Sequence, residues 1–228
     1  MHASTAQFSS GMASKPVLFS MYTSSCSWRV RIVLALKGVE YEYKTKENCE
    51  NYKDRNPMNQ VPALVVNNDT LTQSLPIIEY LEETYPSPSL LPTDQVQKAK
   101  VRGLVEIINS GIQPLQNRSS VIKYLSDETK ENWANHWITQ GFIGLERMLT
   151  ETSGRYCHGD EITLADVFLL PQVFNAAKEF QVNVKQFPII TRISEELCQV
   201  DAFRLTQPSL QPDCSDHGKD QLSPLFEN

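Results

Sequence analysis

The chain has 228 residues, 40% of them hydrophobic, enough for one large core or two modest ones. A formal net charge of -6 and the lack of any dense Lys/Arg block exclude nucleic acid or an anionic membrane as the main partner, leaving a small molecule or another protein. The five cysteines, Cys26, Cys49, Cys157, Cys198 and Cys214, are scattered without C-x-x-C or paired spacing, which suits a reducing compartment. No apolar run nears the roughly 20 residues of a bilayer span, and the start lacks the basic region and apolar core of a secretory signal. Cytoplasmic placement is expected, with a mitochondrial fraction left open by the Ser-rich, acid-free residues 1–14. Those residues contain no arginine and read as a disordered tail rather than a transit peptide.

In chain order, "KPVLFSMY" is a short strand and "TSSCS" a turn and helix cap. Trp28, Ile32 and Leu36 recur at helical spacing, with Val30, Val33 and Leu34 on a second apolar face, so the next helix is largely buried and stops at Gly38. "VEYEYKT" alternates as a strand, "NPMNQ" turns, "VPALVVN" and "TLTQ" are strands, and "SLPIIEYLEETYP" is an amphipathic helix. The order is β-α-β followed by β-β-α, which with the resemblance below defines an α/β domain over residues 15–86. Three prolines between Pro86 and Asp94 mark a linker at 87–95. From 96 to 210 the periodicity is helical: one helix disturbed near Gly111 and Pro114, a long helix with stripes through Trp133, Trp137, Ile138, Phe142 and Leu149, and a helix after Thr163. Thr163 and Asp166 have capping-box spacing, with Ile162 and Val167 placed as a hydrophobic staple. Pro188 opens a last amphipathic helix, and residues 211–228 read as a disordered tail.

Chemistry centres on "TSSCSWRVR". Ser24 to Ser27 either cap the helix or use its free N-H groups and partial positive charge to hold an anion or thiolate. Val61-Pro62 is either a trans proline starting a strand or a cis turn that presents backbone groups to a peptide-like ligand. Gln73-Ser74 is either another cap or a grip for a carboxylate. Together the two helix starts flanking the proline turn fit a ligand with a thiol at one end and a carboxylate at the other. Arg29 and Arg31 read as structural or interface ion-pair residues. His2, His136, His158 and His217 have no ligand spacing, so no metal is expected.

"SSCSWRVRIVLALKGVEYEYK", "NPMNQVPALVV", "QSLPIIEYLEETYP", "SGIQPLQN" and "GDEITLADVFLLPQV" together resemble the zeta class of glutathione transferases, also known as maleylacetoacetate isomerases, in order from about Pro16 to Asp213. The resemblance implies a thioredoxin-like N-terminal domain with a cis-proline, an all-helical C-terminal domain, and a homodimer. It implies glutathione as cofactor, with its thiol against Ser24, Ser25 and Cys26 as the catalytic residues and Ser27, Trp28 and Arg29 completing that segment. Val61 and Pro62 would hold the cysteinyl backbone, Gln73 and Ser74 the γ-glutamyl group, and Gln113, Asn117, Arg118 and Ser119 the contribution of the second domain. The implied activity is isomerisation of maleylacetoacetate to fumarylacetoacetate in phenylalanine and tyrosine catabolism, with transferase side activity on α-halo acids. The partner is thus a small acidic unsaturated or α-halo substrate.

The sequence departs from the family in three places. Arg118 stands where an apolar residue is usual. The stretch between "VEYEYK" and "NPMNQ" is several residues shorter, which implies loss of the loop and short helix closing over glutathione, with Lys46 or Lys53 left as carboxylate partners. Glu179 precedes Phe180 where the family has an arginine for the substrate's acidic end, and Lys178 is one position off. Cys26 reads either as an auxiliary nucleophile or as a small buried helix residue. A glutathione-binding or structural protein that kept the fold and lost turnover is the competing expectation.

Overall fold

In a computed structural model, the structure describes residues 15–215 and Leu222; the tail expected at 1–14 and the rest of that expected at 211–228 lie outside the described residues. The first elements are β1 (Val17–Phe19), α1 (Ser25–Leu36), β2 (Glu42–Lys44), α2 (Tyr52–Arg55), β3 (Ala63–Val66), β4 (Asp69–Thr72) and α3 (Ser74–Thr84). The sheet order is β2-β1-β3-β4, with β1 parallel to β2 and antiparallel to β3, and β3 antiparallel to β4. A parallel pair needs a crossover, here α1, whereas β3 and β4 are joined by a tight turn in which Asn67 takes φ 56. This is the thioredoxin-like arrangement expected. Helix α1 ends where Gly38 adopts φ 64, a left-handed conformation that favours glycine.

The remaining elements are helical: α4 (Gln95–Glu106), α5 (Asp127–Thr152), α6 (Leu164–Phe180), α7 (Pro188–Cys198) and α8 (Asp201–Arg204). The expected disturbance after α4 is a π-helical segment, Ile107–Ile112. Gln113 N-H bonds Ile108 O, five residues back, and Pro114 has no N-H with which to continue the ladder. Gly141 of α5 lets this segment come close, because a Cβ there would overlap Ile112 Cγ1 and Cδ1. Apolar faces of both parts merge into one core that includes Trp28, Ile32, Leu64, Ile77, Leu104, Phe168 and Ile193. Trp28 meets Phe174 of α6 edge-on at 5.4 Å between ring centroids.

The linker is pinned. Glu82 Oε1 accepts from Leu90 N-H and Ser89 Oγ-H, both at 2.9 Å, while Glu82 Oε2 pairs with the buried Lys37 Nζ at 2.6 Å. Leu90 is buried and Ser87-Pro88 is cis.

Two expectations need correction. The stretch after β2 is short but keeps a 3-10 turn, Lys46–Asn48, and the helix α2, because Tyr52 buries its ring against Phe19 at 5.2 Å. The chain also stays packed past residue 210. Gln211 and Cys214 are buried, and Asp213 accepts from Tyr22 N-H at 3.0 Å and from Tyr43 Oη-H at 2.6 Å. These bonds tie the C-terminal end to β2 and the loop before α1. Hydrogen bonds to a charged group contribute about 1.5–3 kcal/mol. Asp213→Ala is therefore expected to lower the unfolding free energy by about 2 kcal/mol in denaturant titrations; an unchanged midpoint would show that the strap contributes nothing.

Beside that strap, Arg31 is fully buried and donates to Ser20 Oγ at 3.0 Å and to Thr206 O at 3.2 Å. Burial pushes its guanidinium down to about 10, against the opposing pull of Tyr43, Tyr41 and Asp213. Arg31 is structural, joining the end of β1 to the C-terminal segment.

Candidate active site

The sheet register gathers the candidate residues. Phe19, the last residue of β1, pairs with Ala63, the first of β3, and Ala63 pairs with Thr72, the last of β4. The chain leaving β1 toward Ser24, the chain entering β3 through Val61-Pro62, and the chain leaving β4 into Gln73-Ser74 thus share one end of the sheet. Val61-Pro62 is cis. Val61 lies outside the β1–β3 ladder, so its amide and carbonyl stand where an extended peptide could add as a further strand.

At the start of α1, Ser24 is the extended N-cap, and its Oγ accepts from Ser27 N-H at 3.2 Å. No acidic residue lies in the first turn, so no side chain there neutralises the partial positive charge of the helix end. Ser24 and Cys26 are half-buried, whereas Ser25 is 4% exposed and Ser27, Trp28 and Arg29 are sealed in the interior. Expectations of direct ligand contact are corrected for these last three. The helical turn carries them inward: Trp28 Nε1-H donates to Thr206 Oγ1 at 3.0 Å, and Arg29 Cζ lies 4.3 Å from the centroid of the Phe168 ring.

Ser74 is not a cap. The N-cap of α3 is Gln73, whose side chain makes no capping bond, and Ser74 Oγ instead accepts from Arg29 Nη1-H at 3.4 Å. Gln73 is exposed at φ 70, ψ 132, outside the left-handed well, a strain of about 1–3 kcal/mol of the kind that collects at ligand sites. The first turn of α3 also lacks an acid. Two helix N-termini without acids in their first turns therefore flank the cis-proline turn that leads into β3.

The second part of the chain joins through Asn109 of the π segment, which sequence reading missed: its Oδ1 accepts from Arg29 Nη1-H at 3.1 Å. Gln113, half-buried, follows about one turn later. Gln116 and Gln172 exchange amide hydrogen bonds at 3.3 and 2.8 Å, holding the segment to α6. Asn117 Oδ1 accepts from Ser119 N-H at 2.9 Å and Oγ-H at 2.7 Å, closing a local turn. Among the described residues, no hydrogen bond ties Asn117, Arg118 or Ser119 to the sheet. The two departures at Arg118 and Glu179 meet: Arg118 Nη2 lies 3.1 Å from Glu179 Oε2 and donates to Glu179 O at 3.3 Å, with its guanidinium 5.5 Å from the Phe180 centroid.

The short segment after β2 is anchored at the residue before the proline turn. Tyr52 Oη-H and Asn56 Nδ2-H both donate to Gln60 O at 2.7 Å, fixing the residue that precedes Val61. Lys46 is half-buried and Lys53 exposed.

A sheet of this order with a cis-proline turn before its third strand, a serine-capped helix start and an attached helical part defines a glutathione transferase. The family model described as glutathione S-transferase, N-terminal domain, matches residues 18–89. The chain is 50% identical over 208 residues to probable maleylacetoacetate isomerase 2 of Drosophila melanogaster, covering 88% of this chain and 91% of that protein. It is 48% identical over 209 residues to maleylacetoacetate isomerase of Mus musculus, with 88% and 96% covered. Among solved structures, a maleyl pyruvate isomerase described as a bacterial zeta-class glutathione S-transferase superposes with a TM-score of 0.82 at 39% identity, covering 87% of this chain and 100% of that one. A maleylacetoacetate isomerase from Anaeromyxobacter dehalogenans 2CP-1 with glutathione bound in its active site has a TM-score of 0.79 at 39% identity, with 88% and 98% covered. The chain belongs to the maleylacetoacetate isomerase family, the zeta class of glutathione transferases.

Proposed function

We propose that the protein is a glutathione-dependent cis-trans isomerase acting on maleylacetoacetate or a closely similar unsaturated diketo acid, at the site between the starts of α1 and α3. One observation carries the reading: the register that places Ser24, Val61 and Ser74 at one end of the sheet. These residues fit glutathione. Two helix starts without acids suit its thiolate and its γ-glutamyl carboxylate, and the backbone of Val61, just ahead of β3 and outside its ladders, suits its peptide backbone. When bound, glutathione supplies the sulfur nucleophile for the double-bond chemistry.

The chain supplies stabilisation and orientation. An ordinary cysteine-like thiol titrates near 8.5, and about two units of depression, roughly 2.7 kcal/mol, ionise it at neutral pH. Ser24 Oγ already accepts from Ser27 N-H, so its own proton remains to be donated to the sulfur. Such a charge-assisted bond is worth about 1.5–3 kcal/mol, and the α1 N-terminus adds about 0.3–1. Those contributions reach the required magnitude without a metal or general base. Cys26 is half-buried in the same first turn, which leaves it available as an auxiliary group to the sulfur in this reading.

The acidic acceptor end, the homodimer, the side activity on α-halo acids and the place in phenylalanine and tyrosine catabolism belong to the same reading. At the acceptor end Arg118 stands beside Phe180 with its charge answered by Glu179, so a substrate carboxylate would bind there by displacing Glu179. For localisation, no helix among the described residues is long and apolar enough to cross a membrane. The test is purified protein with maleylacetoacetate: fumarylacetoacetate is expected to form only when glutathione is present. Retention on a glutathione column without isomerisation or halo-acid turnover would instead favour a binding protein on this fold.

A further inference from the structure

Arg29 is 0% exposed, and among the described residues its Nε and Nη2 have no hydrogen-bond partner and no carboxylate reaches it as an ion pair. A buried cation of this kind costs several kcal/mol, and an apolar side chain of similar volume would fill the space without that cost. Burial accordingly pushes the guanidinium below its usual range, with Cys26 and Glu106 pulling in the opposite direction. What the charge does can be read from its bonds. Nη1 donates to Ser74 Oγ at 3.4 Å and to Asn109 Oδ1 at 3.1 Å, while Asn109 Nδ2 donates to Glu106 Oε1 at 3.3 Å. One guanidinium thus links α1, the start of α3 and the π segment, with Glu106 answering its charge through an amide.

A serine hydroxyl has one proton and two lone pairs. Because Arg29 occupies a lone pair of Ser74 Oγ, that oxygen is polarised and its proton is directed to another acceptor, at a helix start whose free amides already favour an anion. Ser74 keeps 5% of its surface and Arg29 none, so of the two Ser74 stands nearer the solvent side of the site. We propose that Arg29 is a positioning residue for glutathione binding: from inside the protein it fixes Ser74 as a hydrogen-bond donor to the γ-glutamyl carboxylate and locks Asn109 of the helical part to the same point. This rests on the reading of Ser74 as the γ-glutamyl site.

A double-mutant cycle tests both layers, read as the Kd of S-methylglutathione by titration calorimetry so that no turnover is needed. Ser74→Ala and Arg29→Met are each expected to weaken binding about tenfold, about 1.4 kcal/mol. The double variant is expected to bind no more than about threefold more weakly than either single variant, because both remove one hydrogen bond. In turnover, Arg29→Met is expected to raise KM for glutathione more than it lowers kcat. If Ser74→Ala weakens binding but Arg29→Met does not, or if the two losses multiply, Arg29 does not act through Ser74; the proposal falls and the site reading stands. If Ser74→Ala leaves Kd unchanged, the γ-glutamyl reading falls and takes the proposal with it. Should Arg29→Met not fold by circular dichroism, the cycle is run with Arg29→Lys, which keeps the charge but not the fork. Failure of both variants to fold would assign Arg29 to the core alone and overturn the proposal.

Discussion

Ser24→Ala is expected to lower kcat about 10- to 150-fold while removing only about 1 kcal/mol of stability. The first figure is the loss of one charge-assisted hydrogen bond, about 1.5–3 kcal/mol, from the sulfur anion. The second is the loss of an N-cap, since Ser24 Oγ accepts only from Ser27 N-H among the described residues. Steady-state kinetics beside a denaturant titration separates the two. Equal proportional losses of activity and of folded protein would mean that the serine is a cap and nothing more. Ser25→Ala provides the contrast: Ser25 is buried within the helix, so its variant should keep most of the turnover.

The largest effect on stability is expected at Asp166, remote from the chemistry. Its carboxylate is fully buried and accepts from Cys157 N-H at 2.8 Å, Thr163 N-H at 2.8 Å and Thr163 Oγ1-H at 2.9 Å. Asp166→Ala leaves three buried donors without this acceptor, each worth about 1–3 kcal/mol. A loss of about 3–5 kcal/mol is expected in urea unfolding, at the upper end of what single substitutions cause. Because α6 carries Phe168 beneath Arg29 and Phe174 against Trp28, misplacement of its start should also weaken glutathione binding. A loss below about 1 kcal/mol would mean that water or backbone shifts replace the carboxylate.

Much of the molecule was legible because the signals are local. The Thr163–Asp166 spacing announces a capping box, and Asp166 does accept from the Thr163 backbone. The apolar spacing from Trp28 to Leu36 announces a buried helix, and Ser24 does cap it. The proline turn needed the resemblance to be read as cis. What stayed hidden depends on partners far apart in the chain. Arg29 bonds Asn109 across 80 residues, and Tyr22 bonds Asp213 across 191. Two arginines within an apolar helical run signal that buried acceptors must exist, but periodicity does not say where. The polar stretch from 211 reads as unstructured for the same reason: composition weighs what a segment could bury by itself, whereas Asp213 is held by Tyr22 and Tyr43, from the loop before α1 and from β2. Position along α1 likewise did not reveal which residues face a ligand, and Ser27, Trp28 and Arg29 turn inward.

The pairing of Arg118 with Glu179 shows how two departures from the family pattern can be one change. Read alone each is a change of charge; together they form one ion pair, whose charges cancel beside Phe180.

The mechanism requires an ionised sulfur at the start of α1, and titration of the protein–glutathione complex by thiolate absorbance tests this most directly. Stabilising the anion lowers the thiol pKa, so thiolate should appear with a midpoint near pH 6.5, about two units below an ordinary thiol, and the midpoint should return toward 8.5 in Ser24→Ala. A wild-type midpoint at or above about 8.5 would show that the capped helix start does not hold the thiolate, and would contradict the mechanism assigned to it.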